Sequence, residues 1–197
     1  MENMDISIII VTYNGLKITL QTLASYTEAL AADARHGYEI IVVDNASWDG
    51  VADAVAETYP QVHLIRNAEN VGFSRANNIG FESSQGRYIL FSNPDVEVAD
   101  ETLPTLIALM DRNPHVGACT PFLRLVKTGE IDWGAHRGFP TPWAAFTYFA
   151  GLARLFRWSS RLSKSFGQYH LLDRDLTQPH PVDVIRGGVF FVRRGGF

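Results

Sequence analysis

The chain has 197 residues, of which 46% are hydrophobic and 19% are charged, so it can bury the core of one globular domain, and wholesale disorder is excluded. Its formal net charge is −4, which argues against the global positive field that a nucleic-acid-binding protein would use. With only one cysteine, Cys119, an internal disulfide and a Cys-x-x-Cys zinc site are both excluded.

The N-terminal residues give no sign of export. Met1 to Asp5 are acidic and lead into a short apolar run, whereas a signal peptide opens with positive charge. No stretch reaches the roughly 18 apolar residues that a membrane span needs. We therefore expect a cytoplasmic protein without a transmembrane segment.

Short apolar runs alternate with segments of helical periodicity. The runs at 6–11 and 40–43 are rich in β-branched residues and apolar on both faces, which is typical of central strands in a parallel sheet. From Leu16 to about Leu30, leucines recur at helical spacing. The pattern continues with helices near 51–59, 73–84 and 101–111, and strands near 62–65, 88–91, 116–120 and 182–192. This alternation predicts an α/β fold with a mainly parallel sheet.

Ligands of such sheets bind beyond the carboxyl ends of the strands, so the loop after the first strand is informative. Thr12, Tyr13, Asn14 and Gly15 offer backbone amides, an aromatic face and small polar groups there, although a plain strand-to-helix turn would have the same composition. The loop lacks the glycine patterns of dinucleotide-binding and P-loop proteins, which excludes both classes.

Asp44 ends the second strand and is followed by the turn-forming residues Asn45-Ala46-Ser47-Trp48-Asp49. An ionised Asp44 accepts hydrogen bonds, so it suits the ring N–H of uracil or thymine, or a ribose hydroxyl. The alternative is a helix N-cap role for Asn45, Ser47 or Asp49. The two roles are compatible because Asp44 precedes the predicted helix.

Oxygen-bearing side chains also follow the fourth strand, in Asn93-Pro94-Asp95. Mg²⁺ and Mn²⁺ often bind through one or two carboxylates together with substrate phosphates, which makes Asp95 the candidate metal ligand. The alternative is an Asx-Pro turn in which Asp95 caps the next helix.

The start of the predicted helix at 73–84 is a further candidate for ligand binding. A helix N-terminus after Gly72 suits a phosphate, and Arg75 would add a fixed positive charge. Adjacent Asn77 and Asn78 lower helix propensity, which points to a specific role, and a solvated helix face is the alternative.

Taken together, these segments resemble the family 2 glycosyltransferases with the GT-A fold, most closely their rhamnosyltransferase-like branch. The resemblance lies in the order and spacing of five segments, at 7–14, 42–47, 67–78, 92–95 and 186–194. It covers most of the chain except roughly 123–181, and it depends on the ordered set because each motif alone is weak.

The resemblance implies a Rossmann-like GT-A sheet flanked by helices (1–122), which binds the sugar nucleotide. It also implies a helical or irregular acceptor-side segment (123–197) that includes Gly187 and Gly188. The donor-binding residues would be Thr12, Tyr13, Asn14, Asp44, Asn45, Gly72, Arg75, Asn78, Asn93 and Asp95, with Asp95 holding Mg²⁺ or Mn²⁺ on the donor diphosphate. The implied reaction is inverting transfer of a sugar, rhamnose being favoured, from dTDP-rhamnose or a UDP-sugar to a polysaccharide or lipid-linked saccharide acceptor in cell-wall or polysaccharide biosynthesis.

The sequence departs from the family pattern in two places. Asn93 stands where the family usually has the first acid of Asp-x-Asp, which leaves Asp95 as the principal ligand. In the family, the general base follows the position of Phe197, so we expect a truncated chain in which no residue can be assigned as the base. Loss of a general base typically lowers the rate by about 10²- to 10⁴-fold. A non-catalytic sugar-nucleotide-binding or assembly protein is therefore the alternative function, whereas Thr12 to Gly15 argue against a nucleotidyltransferase.

The segment 143–167 contains basic residues and no acidic ones. On a helix, Arg154, Arg157, Arg161 and Lys164 would form one stripe opposite an apolar stripe. Such a helix can lie on an anionic membrane, here the inner face of the plasma membrane, where a lipid-linked acceptor would be presented. A domain helix that buries its apolar face is the competing interpretation.

Overall fold

The computed structural model describes residues 4–132, 138–152, 169, 171, 175, 178–185 and 187–196. The strands are β1 (Met4–Thr12), β2 (Gly37–Asp44), β3 (His63–Arg66), β4 (Tyr88–Ser92), β5 (Ala118–Cys119) and β6 (Val189–Arg193). The helices are α1 (Leu16–Ala32), α2 (Val51–Thr58), α3 (Phe73–Ser83), α4 (Thr102–Arg112) and α5 (Pro142–Phe149). Most of the predicted elements up to α4 begin and end within two residues of their expected bounds.

One sheet of order β3-β2-β1-β4-β6-β5 connects the strands. β1 pairs in parallel with β2 and β4, and β2 pairs in parallel with β3, whereas β6 runs antiparallel to both β4 and β5. The predicted α/β class with a mainly parallel sheet is confirmed. The carboxyl ends of β1 to β4 therefore meet at one edge of the sheet.

β1 lies at the centre of the sheet, and its isoleucines at 6, 8, 9 and 10 are fully buried. This burial on both faces explains the unbroken β-branched run. Helix α3 packs so closely on β1 that a Cβ at Gly80 would lie 2.6 Å from Ile9 Cγ2. Glycine is required there because a side chain would push α3, and the loop in front of it, away from the sheet.

The chain forms two compact units, one of Met1–Pro121 with Gly187–Phe197 and the other of Phe122–Arg186. Residues 187–197 lie in the first unit because β6 belongs to its sheet, whereas the division into a donor-binding part (1–122) and an acceptor-side part (123–197) stays a prediction. The predicted strand at 116–120 shortens to Ala118–Cys119, and the one at 182–192 becomes Val189–Arg193. Arg193 fastens β6 to α4, because its guanidinium donates to Met110 O at 2.7 Å.

In the second unit, the chain turns back on itself between Leu123 and Asp132. Leu125 N donates to Glu130 O at 2.8 Å, and Asp132 N donates to Leu123 O at 3.0 Å. Helix α5 follows, with the Thr141 hydroxyl capping its N-terminus through Ala144 N. The part of the predicted basic helix from residue 153 onward lies outside the described residues. Among the helices that the structure describes, none is long and apolar enough to cross a membrane.

Candidate donor-binding site

The polar residues that follow β1, β2 and β3 are brought to one edge of the sheet by its register. Thr12 pairs with Asp44, and Asp44 pairs with Arg66, so three strands end side by side. A pocket of about 500 Å³ opens at this edge. It is lined by Val11, Tyr13, Asn45, Asn70, Phe73, Asn93, Pro94 and Gly187. The pocket combines amide side chains with aromatic faces, as a site for a base and polar sugar groups requires.

Two aromatic side chains of the pocket are about half exposed. Tyr13 follows β1 and is 51% exposed, and Phe73 begins α3 and is 49% exposed. Their exposure within a concave site that also carries three asparagines leaves ring faces available to a planar ligand. The described part of the pocket is thus suited to stacking as well as to hydrogen bonding.

The loops after β1 and β2 are bound to each other around Asn14. Asn14 adopts a left-handed conformation with φ of 52°, which asparagine tolerates better than most residues. Its backbone N–H donates to Ser47 Oγ at 2.9 Å, and its side-chain oxygen accepts from Trp48 N at 2.9 Å. Asn14 therefore shapes the edge of the site, with its side-chain oxygen engaged by the protein.

The Asp49 side chain accepts from the first backbone N–H of two helices, whose N-cap residues are Gly15 and Gly50. One carboxylate oxygen accepts from Leu16 N, the first residue of α1, at 2.8 Å, and the other accepts from Val51 N, the first residue of α2, at 3.2 Å. The N-cap role considered for Asp49 is wrong in the strict sense, because the N-cap residue of α2 is Gly50. The Asp49 carboxylate instead links the starts of the two helices that follow β1 and β2.

Asp44 and Thr12 are both buried behind the pocket. Asp44 is 4% exposed, and its carboxylate accepts from Ser47 N at 3.2 and 3.3 Å. Thr12 is 1% exposed, and its hydroxyl lies 2.8 Å from that of Thr19. Neither side chain lines the pocket, so both contribute first to the shape of the loops.

Asn45 connects the β2 loop to the segment in front of α3. It is 3% exposed, and its oxygen accepts from Asn67 Nδ2 at 3.1 Å and from Val71 N at 3.0 Å. Its amide nitrogen donates to Asn70 Oδ1 at 2.8 Å. The Asn45 side chain thus satisfies several polar groups of the 67–72 segment while it lines the pocket.

Helix α3 begins beside the pocket without a side-chain cap. Its N-cap is Gly72, with φ of 84° and ψ of 161°, a backbone conformation available essentially to glycine. Uncapped amides at a helix start suit an anion. Arg75 and Asn78 are exposed on α3 outside the pocket lining, whereas Asn77 is buried and donates to Phe73 O at 3.0 Å. Asn77 thus has a structural role.

The loop after β4 reaches the pocket through Asn93 and Pro94. Asn93 N donates to Gly188 O at 2.8 Å, which joins this loop to the start of β6 and places Gly187 in the pocket lining. Gly188 is nearby, with a hypothetical Cβ 3.9 Å from Asn93 Nδ2. Asp95 is exposed on the same loop, directly after Pro94.

The donor atoms at this loop fit a divalent cation only with help from a ligand. Asp95 supplies one exposed carboxylate, and Asn93 supplies an amide. Among the described residues, no group of three or more His, Cys, Asp or Glu side chains could hold a metal ion. A single carboxylate completed by phosphate oxygens is a usual arrangement for Mg²⁺. The chemistry of Asp95 therefore fits a metal that arrives with a diphosphate.

Of the residues expected to bind the donor or acceptor, Tyr13, Asn45, Asn93 and Gly187 line one pocket. The sequence analysis did not identify the other lining residues, which are Val11, Asn70, Phe73 and Pro94. Asn70 and Phe73 lie within the 67–78 segment of the resemblance, so the signal was present in the sequence. In the sequence, Val11 has the pattern of an ordinary core residue. Its place in the pocket lining follows from the end of β1 at the edge of the sheet, which the sequence alone does not show.

Residues 7–177 match the family model described as Glycosyl transferase family 2. The chain belongs to glycosyl transferase family 2. The match extends over most of the chain, and the α/β sheet agrees with it. The resemblance noted in the sequence is thereby confirmed at the level of the family and of the fold.

Two relatives give the family assignment more detail. An undecaprenyl-phosphate 4-deoxy-4-formamido-L-arabinose transferase of Pseudomonas fluorescens is 34% identical over 108 residues, which cover 52% of this chain and 31% of the relative. An N-acetylglucosaminyl-diphospho-decaprenol L-rhamnosyltransferase of Mycobacterium tuberculosis is 25% identical over 113 residues, covering 52% and 37%. The chain thus spans about a third of the length of these relatives.

Two solved structures share the fold. S. aureus TarS 1–349 in complex with UDP-GlcNAc has a TM-score of 0.55 and 25% identity, over 72% of this chain and 38% of the other. The mannosyltransferase PcManGT from Pyrobaculum calidifontis, in complex with GDP-Man and Mn²⁺, has a TM-score of 0.54 and 25% identity, over 64% and 37%. The likeness to both structures supports the GT-A architecture of this sheet.

Proposed function

We propose that this chain forms the donor-binding part of an inverting glycosyltransferase. It would transfer a sugar, rhamnose being favoured, from a nucleoside diphosphate to a lipid-linked saccharide in cell-wall or polysaccharide biosynthesis. The observation that carries the proposal is the pocket at the carboxyl edge of the parallel strands, where Tyr13, Asn45, Asn93 and Gly187 meet. These residues come from distant segments that the family pattern had already singled out.

The donor we favour is dTDP-rhamnose, with a UDP-sugar as the alternative. Rhamnose is supported by the named activity of the Mycobacterium tuberculosis relative. Uracil and thymine present the same imide edge to an acceptor such as Asp44, so the methyl group must be distinguished by shape. Since the side chain of Asp44 is buried against Ser47 N, recognition of the base through this carboxylate requires the β2 loop to open slightly.

The diphosphate would lie between α3 and the loop after β4. The uncapped amides at the start of α3 would face the phosphates, and Arg75, in the first turn, would add charge. Asp95 would hold Mg²⁺ or Mn²⁺, with Asn93 beside it, as the Mn²⁺ complex of PcManGT supports. A bound metal offsets the charge that develops on a departing diphosphate.

The chemistry that this arrangement serves is displacement at the anomeric carbon. An acceptor hydroxyl forms the new glycosidic bond as the bond to the nucleoside diphosphate breaks, and the hydroxyl proton passes to a base that the described residues do not identify. The residues of the pocket would bind and orient the donor and shield it from water. A non-catalytic sugar-nucleotide-binding protein would use the same pocket without the transfer step.

The lipid-linked acceptor would be met at an anionic membrane, through the segment 143–167. Support comes from α5, where Trp143, Phe146 and Phe149 are 50%, 56% and 80% exposed. Aromatic side chains are favoured at membrane interfaces, and the basic residues after 153 suit anionic lipid. Pelleting with phosphatidylglycerol vesicles tests the contact: the variants Phe146→Asp and Arg154→Glu/Arg157→Glu should bind less, and unchanged binding by both would contradict it.

The deciding experiment measures the melting temperature of the chain with dTDP, UDP and GDP, each with Mn²⁺, Mg²⁺ or EDTA. A ligand present at about 100 times its Kd stabilises the folded state by about 2.7 kcal/mol. We expect a metal-dependent rise with dTDP or UDP that Asp95→Ala removes. Asp100→Ala is the matched control, since Asp100 is another exposed acid after β4. No rise with any nucleotide would contradict donor binding, whereas a rise without transfer of rhamnose would favour the non-catalytic alternative.

A further inference from the structure

One face of α1 presents hydroxyl groups to the loop that carries Asp95. Thr22 Oγ1 donates to Pro94 O at 2.7 Å, and Tyr26 OH donates to Ser92 Oγ at 2.9 Å. Ser25 Oγ accepts from Val98 N at 3.3 Å. The hydroxyls are spaced three and four residues apart, so they share one face of the helix.

Hydroxyl groups on a helix face that packs inward need an explanation. Thr22 is 1% exposed and Tyr26 is fully buried, and a buried hydroxyl without a partner would destabilise the fold. Burial raises the pKa of Tyr26 above its ordinary range, so its hydroxyl stays protonated and able to donate. An apolar side chain would pack at these positions without such a requirement. We therefore attribute these hydroxyls to the hydrogen bonds that hold the loop after β4 in place.

The hydrogen bond from Thr22 acts on the peptide unit that leads into Asp95. The carbonyl oxygen of Pro94 and the backbone nitrogen of Asp95 belong to one planar group, so fixing the first also fixes the second. On its other side, the loop is joined to the start of β6 through Asn93 N and Gly188 O. Asp95 is thus an exposed carboxylate on a backbone that is held from two directions.

We infer that Thr22 is a positioning residue for the metal-binding carboxylate of Asp95, supported by Ser25 and Tyr26 on the same face of α1. This inference rests on the proposed function, in which Asp95 holds the cation of a nucleoside diphosphate. Thr22 does not contact the ligand. It fixes the loop so that Asp95 needs little rearrangement when the metal and the diphosphate bind.

The test compares Thr22→Val with Thr27→Val in the 197-residue chain. Both substitutions remove a hydroxyl from α1 and keep the shape of the side chain. Among the described residues, the Thr27 hydroxyl has no hydrogen-bond partner, so Thr27→Val is the matched control. The measurement is the Mn²⁺ concentration that gives half of the maximal nucleotide-dependent rise in melting temperature, together with nucleotide affinity in EDTA.

We expect Thr22→Val to raise that Mn²⁺ concentration about fivefold, the effect of losing one net hydrogen bond, and to leave affinity in EDTA unchanged. Thr27→Val should match the wild type. In the Asp95→Ala background, Thr22→Val should have no further effect on Mn²⁺ dependence, because the group being positioned is absent. Tyr26→Phe provides a second variant if Thr22→Val folds poorly, and it should shift the Mn²⁺ dependence in the same direction.

The outcomes separate the inference from the proposed function. If Asp95→Ala removes the Mn²⁺ dependence and both Thr22→Val and Tyr26→Phe leave it unchanged, the positioning role is wrong and the donor site stands. An equal loss of affinity with and without Mn²⁺ would mean that Thr22 supports the pocket generally, which also overturns the inference. If the wild-type chain shows no nucleotide response, both the proposed function and the inference fail.

Discussion

Asn45 and Asn70 are joined by a 2.8 Å hydrogen bond between their side chains, across the gap between the β2 loop and the segment in front of α3. Asn70 Oδ1 also accepts from Gly72 N at 3.0 Å. A chain of hydrogen bonds therefore leads from the end of β2 to the first turn of α3. These hydrogen bonds fix the position of the uncapped backbone amides of α3 relative to the pocket.

Replacement of Asn45 should both destabilise the protein and weaken nucleotide binding. Asn45→Ala removes the oxygen that accepts from Val71 N and Asn67 Nδ2, and we expect the free energy of unfolding to fall by about 2 kcal/mol. Urea unfolding measures this loss, and the nucleotide-dependent rise in melting temperature should shrink. Asn78→Ala, at an exposed position of α3, is the stability control and should change the free energy by less than about 0.5 kcal/mol.

Loss of the Asp49 carboxylate should destabilise the starts of α1 and α2 together. This side chain accepts from the first backbone N–H of both helices, so we expect Asp49→Ala to lower the free energy of unfolding by about 1 to 2 kcal/mol. Asp53→Ala is the control, because Asp53 is 81% exposed and its ion pair with Arg66 should contribute less than about 1 kcal/mol. If Asp49→Ala and Asp53→Ala lowered the free energy of unfolding equally, the two hydrogen bonds of Asp49 would make no greater contribution than an exposed ion pair.

A side chain at position 72 should disturb the start of α3. The backbone at Gly72 has φ of 84° and ψ of 161°, so Gly72→Ala introduces strain of about 1 to 3 kcal/mol, although a Cβ would meet nothing within 4 Å. Gly117→Ala is the matched control, since a Cβ there also meets nothing and its φ is not in the left-handed region. Urea unfolding and nucleotide-dependent melting should both separate the two variants, and identical behaviour would contradict the role of φ.

Much of the first unit was predictable because its strands and helices have distinct periods. The β-branched run of β1 and the leucine spacing of α1 gave bounds close to those observed. The position of β6 was not predictable, because its antiparallel pairing with β4 and β5 depends on residues more than 70 positions apart. The strand signal at Val189–Arg193 identifies a strand but carries no information about its neighbours.

The candidate site shows the same division. The positions of Tyr13, Asn45 and Asn93 follow from strand ends, which the sequence marks clearly. The burial of Thr12 and Asp44 depends on how the β1 and β2 loops fold against each other through Asn14, and no local pattern encodes that contact. The hydroxyl face of α1 was also missed, because Thr22 and Tyr26 read as ordinary helix residues until the loop that they contact is placed.

The Asp33 carboxylate should make the stability of the fold depend on pH in the acid range. It is 6% exposed after α1, and its carboxylate accepts hydrogen bonds from Tyr38 OH at 2.6 Å and Arg35 Nε at 2.9 Å and lies 2.7 Å from His36 Nδ1. Burial alone would raise the pKa of Asp33, but the hydrogen bonds from Tyr38, Arg35 and His36 outweigh it and hold the pKa well below its ordinary value. Folding therefore favours the ionised carboxylate.

Because the folded pKa of Asp33 is depressed, the stability it contributes is fully present above the ordinary aspartate pKa of about 3.9 and is lost as the pH falls toward the folded value. We expect Asp33→Asn to lower the free energy of unfolding by about 1 to 3 kcal/mol at pH 7, with the difference from wild type shrinking below pH 4. Urea unfolding between pH 7 and pH 3 measures it, with Asp53→Asn as an exposed control. A difference that stays constant over this range would show that Asp33 acts through packing rather than through its charge.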